Sequence, residues 1–154
     1  MGEMSYGQKK KTMIAFGLAC NTDLILMDEP TNGLDITSKS QFRKLVSQAI
    51  TDENSILIST HQIKDVENLV DRVLILNEGN VLLDESLEVI SRKLHFGFTS
   101  ELAPDSPFLF SEESLRGYNY ITAGDGIIES KVDIELLYKA VMHSPEQLSQ
   151  IIKN

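Results

Sequence analysis

Short apolar runs alternate with segments of helical periodicity along the first half of the chain. Runs of four or five residues predict strands at Leu24–Met27, Ser55–Ser59 and Val73–Leu76. Apolar residues at helical spacing predict helices at Tyr6–Ala19, Thr37–Ile50 and Ile63–Leu69. Because strands that alternate with helices form crossover units, the pattern predicts an α/β fold with a mainly parallel sheet.

Residues at the ends of the first predicted helix and the first predicted strand support these predictions. Ser5 and Gln8 have the spacing of a capping box, which starts a helix by pairing each side chain with the other residue's backbone N–H. The run Leu24–Met27 has no polar alternation and ends three residues before Pro30. Such a run is typical of a strand buried on both faces of a parallel sheet.

The pattern changes in the second half of the chain. The turn Asn77–Asn80 predicts a hairpin between Val73–Leu76 and Val81–Leu83. From about residue 95, glycine and proline interrupt the periodicity, and the remaining segments predict a small α+β region. Its predicted elements are the strands Tyr118–Ile121 and Ile127–Ser130 and the helices Asp133–Met142 and Pro145–Ile152. We therefore expect one region at residues 1–94 and a smaller accessory region at residues 95–154.

Composition narrows the class of protein. The chain has 154 residues, of which 42% are hydrophobic, and contains no apolar run of the length that spans a membrane. Its 14 basic and 23 acidic residues give a formal charge of −9, which disfavours nucleic acid as a partner. A single cysteine and the lack of a secretory signal pattern lead us to expect a cytoplasmic protein.

Two acids follow the first predicted strand directly. Open α/β sheets bind ligands at the carboxyl ends of their strands, where Asp28 and Glu29 stand. Because neighbouring strand residues point to opposite faces, the two carboxylates suit different tasks. One division assigns Asp28 to a divalent cation and Glu29 to a nucleophilic water, as in phosphoryl transfer. The simpler alternative is that Asp-Glu-Pro only opens a turn.

Three other segments allow both a chemical and a structural interpretation. Ser5 and Gly7 at a predicted helix N-terminus present a hydroxyl and backbone N–H groups that suit an anion, although an ordinary capped helix has the same pattern. His61 follows the second strand, so we expect it near Glu29, where a lone histidine is more often a structural hydrogen-bonding group. Asp35 precedes a predicted helix and suits its N-cap.

Four segments resemble, in order and spacing, the C-terminal half of an ABC-type ATPase, the nucleotide-binding subunit of ABC transporters. MSYGQ at residues 4–8 resembles the signature motif, often LSGGQ, and LILMDE at residues 24–29 resembles the Walker B strand with its catalytic glutamate. NGLD at residues 32–35 resembles the D-loop, and STH at residues 59–61 resembles the switch histidine. The resemblance covers about residues 1–90 and implies a partial P-loop NTPase domain.

The resemblance implies catalytic roles at the strand ends. In these terms Asp28 holds Mg²⁺, Glu29 is the catalytic base, and His61 contacts the γ-phosphate of ATP and orients the attacking water. By the same resemblance, Asp35 reaches across a dimer interface, in addition to capping a helix.

The signature-like segment is implied to act on a second subunit. In the family, residues matching Ser5, Tyr6, Gly7 and Gln8 cap the γ-phosphate of ATP held by the opposite subunit. Tyr6 departs from the commoner motif, which has glycine there. The substitution reduces backbone freedom and adds a ring, so the details of this loop are expected to differ.

One motif of the family does not occur in the 154 residues. Hydrolysis of Mg-ATP in this fold class requires a P-loop, G-x-x-x-x-G-K-[ST], whose amides and lysine hold the phosphates. The family places this motif N-terminal to the signature motif. We therefore expect the chain to be the C-terminal part of a longer ATPase and to lack ATPase activity alone.

The leading hypothesis is an ATP-binding subunit of an ABC transporter, of exporter type by the placement of its C-terminal extension. The partners expected from the resemblance are a second ABC ATPase subunit, in a homodimer or heterodimer, and membrane-spanning transporter subunits at the cytoplasmic face of a membrane. Two alternatives stay open: a soluble ABC ATPase outside transport, and a non-enzymatic remnant or interaction module.

Overall fold

The computed structural model of the chain describes residues 4–103, 106–126 and 129–153. The chain divides into two compact units, Met1–Leu69 and Val70–Asn154. The division falls between the third predicted helix and the third predicted strand. The expected boundary at residues 94 and 95 concerns the extent of the family domain and stays a prediction.

The described residues of the first unit form three helices and two strands. In chain order they are α1 (Tyr6–Ala19), β1 (Leu24–Asp28), α2 (Ile36–Ala49), β2 (Ser55–Ser59) and α3 (Ile63–Val66). β1 and β2 pair in parallel, with a register that runs from Leu24 opposite Ser55 to Asp28 opposite Ser59. The predicted elements of this unit are confirmed, although α3 is three residues shorter than predicted.

Local capping explains where the two long helices begin. The Ser5 hydroxyl accepts a bond from the Gln8 N–H, and the Gln8 side chain accepts one from the Ser5 N–H, so the predicted capping box is present. At the start of α2, Asp35 Oδ1 accepts a bond of 2.7 Å from the Ser38 N–H. Each cap satisfies a helix N–H group that would otherwise have no partner.

The core of the first unit lies on one face of the two-stranded sheet. Phe42 and Val46 of α2, one helical turn apart, are buried with Leu34 and Val66. Partly buried apolar residues from β1, β2 and α1 pack against this cluster: Met27, Ile56, Ile58, Ile14 and Leu18. The alternation of side chains along a strand directs one set of residues to this core and the other set away from it.

The opposite face of this sheet is apolar and exposed, so the prediction that β1 is buried on both faces is wrong for this chain. Leu24, Leu26 and Leu57 are all more than half exposed, and Leu26 is 68% exposed. The apolar residues at helical spacing in α1 are not all buried either, because Met13 and Phe16 are largely exposed. In each element some apolar residues pack against the core, namely Ile14 and Leu18 in α1 and Met27 in β1, while others stay largely exposed.

In the second unit the described residues form two antiparallel sheets and three helices. Its elements are β3 (Arg72–Asn77), β4 (Asn80–Ser86), α4 (Leu87–Lys93), β5 (Leu94–Thr99), β6 (Phe110–Ser114), β7 (Gly117–Ala123), α5 (Ile134–His143) and α6 (Pro145–Lys153). β3 and β4 form the predicted hairpin, and β5, β7 and β6 form a sheet in that order. The core includes Ile90, Leu94, Ile121 and Leu137, all fully buried.

The α/β class is confirmed. The sequence predicts a mainly parallel sheet, whereas the parallel pairing in the described residues is confined to one pair of strands. Among the described residues, β1 and β2 are the parallel pair, and β3 pairs only with β4, in antiparallel direction. The tail is α+β, as predicted. The predicted strand Ile127–Ser130 begins with two residues outside the described ranges, and its residues 129 and 130 lie outside any strand.

Candidate active site

The candidate site lies where the parallel strands β1 and β2 end. The register places Asp28 opposite Ser59, so the segments that follow the two strands leave the sheet at the same edge. The backbone N–H of Glu29 donates to the Ser59 carbonyl over 2.9 Å and extends the pairing by one residue. Three predicted site residues, Asp28, Glu29 and His61, are thereby brought to one edge of one sheet.

Asp28 and Glu29 have separate hydrogen-bond partners, as expected for neighbouring residues whose side chains point to opposite faces of a strand. Ser59 Oγ donates a bond of 2.5 Å to Asp28 Oδ1, while Glu29 faces Thr60 and His61. Among the residues that the structure describes, no group of three or more His, Cys, Asp or Glu side chains is placed to enclose a metal ion. An exposed single carboxylate nevertheless fits Mg²⁺, which usually takes one or two protein carboxylates and completes its shell with water and phosphate oxygens.

Glu29 is the most highly hydrogen-bonded side chain of the site. Its Oε1 lies 2.6 Å from His61 Nδ1 and accepts a bond of 3.0 Å from the His61 backbone N–H. Its Oε2 accepts a bond of 3.2 Å from Thr60 Oγ1. Desolvation alone would raise the pKa of Glu29, but the hydrogen bonds and charge of His61 and the bond from Thr60 outweigh it and lower the pKa. The carboxylate is therefore held ionised and oriented.

His61 presents most of its ring to solvent. Its side chain is 70% exposed, against 30% for that of Glu29, and its Nδ1 meets the carboxylate. The predicted proximity of His61 to Glu29 is confirmed, whereas a role in contacting phosphate stays a prediction. The hydroxyl of Thr60 also accepts a bond of 2.9 Å from the Gln62 N–H, which orders the turn that carries the histidine.

The signature-like segment forms the exposed start of α1. Tyr6 is 70% exposed, and a β-carbon placed on Gly7 would meet no atom within 4 Å, so this helix end is open. No hydrogen bond or ion pair between described residues joins Ser5, Gly7 or Gln8 to the carboxylates of the strand edge. Ser5, Gly7 and Gln8 therefore have no direct bond to Asp28 or to the Glu29 carboxylate in the described part of the chain.

Asp35 serves as the N-cap of α2, as the sequence predicts. Hydrogen bonds from the Ser38 backbone and side chain lower the pKa of Asp35 and outweigh desolvation, which raises it; the positive charge of Lys11 also lowers it. This contact accounts for the local structural role of the carboxylate. Its implied reach across a dimer interface stays a prediction.

Lys10 is a residue of the site that its local sequence does not indicate, because it lies in a run of three lysines typical of a solvated surface. Lys10 Nζ donates to the Glu29 carbonyl over 2.5 Å and to the Asn32 carbonyl over 2.8 Å. The one available signal is its position four residues after Tyr6, which places both on one face of α1.

Among the described residues, no helix combines the length and apolar character needed to cross a membrane.

Comparisons with known proteins identify a family. The model of the ABC transporter family matches residues 1–32. The ABC transporter ATP-binding protein NatA of Bacillus subtilis (strain 168) is 35% identical over 117 residues, which cover 76% of this chain and 45% of that protein. The energy-coupling factor transporter ATP-binding protein EcfA2 of Staphylococcus aureus (strain USA300) is 40% identical over 85 residues, or 54% of this chain and 30% of that protein.

The chain is also similar to a third ABC transporter ATP-binding protein. The uncharacterized ABC transporter ATP-binding protein MJ1023 of Methanocaldococcus jannaschii is 33% identical over 94 residues, which cover 61% of this chain and 36% of that protein. The chain thus spans less than half the length of each of these three curated relatives.

Proposed function

We propose, from the premise that this chain belongs to the ABC-type ATPases, that it carries the water-activating half of the ATP-hydrolysing site of an ABC transporter subunit. One observation carries the proposal: Glu29, hydrogen-bonded to His61 over 2.6 Å, stands beside Asp28 at the carboxyl edge of the parallel strands. Ligands bind at this edge in open α/β sheets. The arrangement supplies a fixed carboxylate next to a cation ligand and a hydrogen-bonding ring.

In the proposed reaction, Glu29 accepts a proton from water while the water oxygen bonds to the γ-phosphorus of ATP. The bond from phosphorus to the bridging oxygen breaks, and ADP leaves with the electron pair. Oε2 is the less occupied oxygen of Glu29, because it accepts one bond from Thr60 whereas Oε1 accepts two from His61. Positioning and charge stabilisation supply most of the catalysis in phosphoryl transfer, so the fixed orientation of this carboxylate is its main contribution.

Asp28 is the residue that would hold Mg²⁺, whose charge offsets that of the phosphate oxygens when it is bound. The carboxylate is exposed and bonded to Ser59 through one oxygen. Its second oxygen has no partner among the described residues. His61 is proposed to contact the γ-phosphate, and the exposure of its ring supports this role.

The start of α1 and Asp35 are proposed to serve a second subunit. Support comes from the open helix end at Tyr6 and Gly7, and from the finding that no hydrogen bond between described residues joins Ser5, Gly7 or Gln8 to the carboxylates of the strand edge. A helix N-terminus presents unpaired N–H groups and positive potential, which suit a γ-phosphate. The partners proposed on this basis are a second ABC ATPase subunit and membrane-spanning transporter subunits of an exporter, on the cytoplasmic side of the membrane.

A further polypeptide segment is proposed to supply the P-loop. The exposed apolar face of β1 and β2, formed by Leu24, Leu26 and Leu57, supports this because burial of leucine side chains is favourable and these three stay in contact with water. The chain also spans less than half of its relatives. Without the phosphate-binding half, the 154-residue chain is expected to show no ATPase activity above background.

The test is Glu29→Gln in the longer protein that joins this chain to a P-loop half. ATP binding is expected to persist, while turnover falls at least about 100-fold, the usual contribution of a general base. Glu53→Gln, an exposed carboxylate in the loop before β2, serves as the matched control with normal turnover. Normal turnover in Glu29→Gln would remove Glu29 as the base, and no turnover in the unaltered longer protein would favour a non-enzymatic role.

A further inference from the structure

The ammonium group of Lys10 joins α1 to the loop that follows β1. Lys10 Nζ donates to two backbone carbonyls of this loop, over 2.5 Å to Glu29 and over 2.8 Å to Asn32. The Asn32 N–H in turn donates to the Glu29 carbonyl over 3.2 Å and closes the turn. Lys10 is partly buried, whereas its neighbour Lys9 is exposed. The two lysines therefore differ in environment although they are adjacent in sequence.

The carbonyl that Lys10 holds belongs to a residue with an unusual backbone. Glu29 has a φ of 44°, in the left-handed region that is unfavourable for residues with a side chain. Such a conformation persists only when the surrounding contacts determine it. At Glu29 the N–H is bonded to Ser59 and the C=O to Lys10, so both peptide groups that flank this residue are fixed.

Tyr6 adds a second contact from the same face of α1. It precedes Lys10 by four residues, one helical turn, and a β-carbon placed on Gly33 would lie 3.1 Å from Cε1 of the Tyr6 ring. Gly33 also has a left-handed backbone, with a φ of 75°. The first two turns of α1 thus lie along residues 29–33, the segment that carries Glu29.

Electrostatics favour a structural use of this lysine. Between described residues Lys10 forms no ion pair, so its charge is directed at the two carbonyl dipoles. Hydrogen bonds from a charged donor are roughly twice as strong as neutral ones. Lysine also has a long, flexible stem that reaches the loop from the helix.

We propose that Lys10 is a positioning residue, which holds residues 29–33 in the conformation that directs the Glu29 carboxylate at His61. The importance of this role for catalysis rests on the proposed function, while the conformational role does not. The start of α1 and the carboxylate of Glu29 then move as one body, so a ligand that displaces α1 also displaces the carboxylate.

Hydrogen exchange in the full 154-residue chain tests the conformational role. In Lys10→Met, exchange of the Asn32 amide is expected to rise at least about tenfold relative to that of Val46 in the buried core, which corresponds to about 1.4 kcal/mol of local opening. Lys9→Met removes a charge from the same run and should leave the ratio unchanged, while Lys10→Arg should restore it. An equal rise at both amides, or none at Asn32, would overturn the proposal.

Kinetics in the longer ATPase test the consequence. Lys10→Met is expected to lower kcat at least about tenfold with less than about a twofold change in the KM for ATP, because it disturbs the orientation of the base and leaves nucleotide contacts in place. Lys9→Met should match the unaltered protein, and Lys10→Arg should recover most of the lost kcat. Unchanged kcat in Lys10→Met would refute positioning, whereas absence of turnover in the unaltered protein would refute the proposed function and leave the exchange result to stand separately.

Discussion

The Nδ1 atom of His61 lies 2.6 Å from Oε1 of Glu29, across the ends of two parallel strands. The pairing is reinforced by the backbone N–H of the same histidine, which donates to the same oxygen over 3.0 Å. His61 and Glu29, which are 32 positions apart in the sequence, are thus joined by two hydrogen bonds to one carboxylate oxygen. The ionised state and the direction of the Glu29 carboxylate both depend on the segment that follows β2.

Removal of the histidine ring should change the acidity of Glu29. In His61→Ala the ring's hydrogen bond and charge, which lower the pKa of Glu29, are lost, while desolvation and the backbone bond remain. The pKa of Glu29 is therefore expected to rise, as measured by carboxyl ¹³C NMR on the 154-residue chain. His143→Ala, an exposed histidine in the second unit, is the control. A pKa of Glu29 that stays the same in His61→Ala would show that the ring contact is weak in solution.

Asp35 should make the stability of the chain depend on pH in the acid range. Its pKa is lowered in the folded state, so its stabilising effect is complete above the unfolded value of about 3.9 and is lost as pH falls through the lower folded value. Asp35→Asn keeps a capping acceptor but does not titrate. The stability difference between the two chains is expected to shrink below about pH 4, in urea unfolding at a series of pH values. A difference that is independent of pH would contradict this.

The core of the first unit should depend strongly on one aromatic side chain. Phe42 is 2% exposed and lies among Val46, Leu34 and Val66. Phe42→Ala is expected to lower the free energy of unfolding by about 3–5 kcal/mol, through lost burial and the cavity that remains.

The matched control lies on the same helix. Leu45 is 41% exposed, and Leu45→Ala should cost about 1 kcal/mol or less. Chemical denaturation monitored by circular dichroism measures both changes. Equal losses in the two variants would place the core elsewhere.

The exposed face of β1 and β2 should cause the isolated chain to associate. Leu26 and Leu57 stand on this face, and unpaired strands with apolar exposure promote association. The double substitution Leu26→Gln and Leu57→Gln is expected to reduce the average mass seen by light scattering. Leu115→Gln, at a fully exposed leucine between β6 and β7, controls for loss of surface leucine. A chain that is already monomeric before substitution would rule out this face as a source of association.

Local sequence patterns suffice to predict the helices and strands of the first unit and to locate Asp28, Glu29 and His61 at strand ends. These features depend on local information, since periodicity, caps and strand direction are properties of neighbouring residues. The motifs also pointed to the family before any contact was known. The capping box of Ser5 and Gln8 is present in the structure as the spacing predicts.

The burial of each apolar position and the partner of each polar group depend on tertiary packing. The run Leu24–Met27 has apolar residues on both faces of the strand, yet only one face contacts the core that contains Phe42 and Val46. Lys10 differs from Lys9 only because the loop after β1 brings the Glu29 and Asn32 carbonyls to it from about 20 residues away. Such partners depend on how distant segments pack, which no local pattern records, because a side chain's environment is set by the residues that surround it in space.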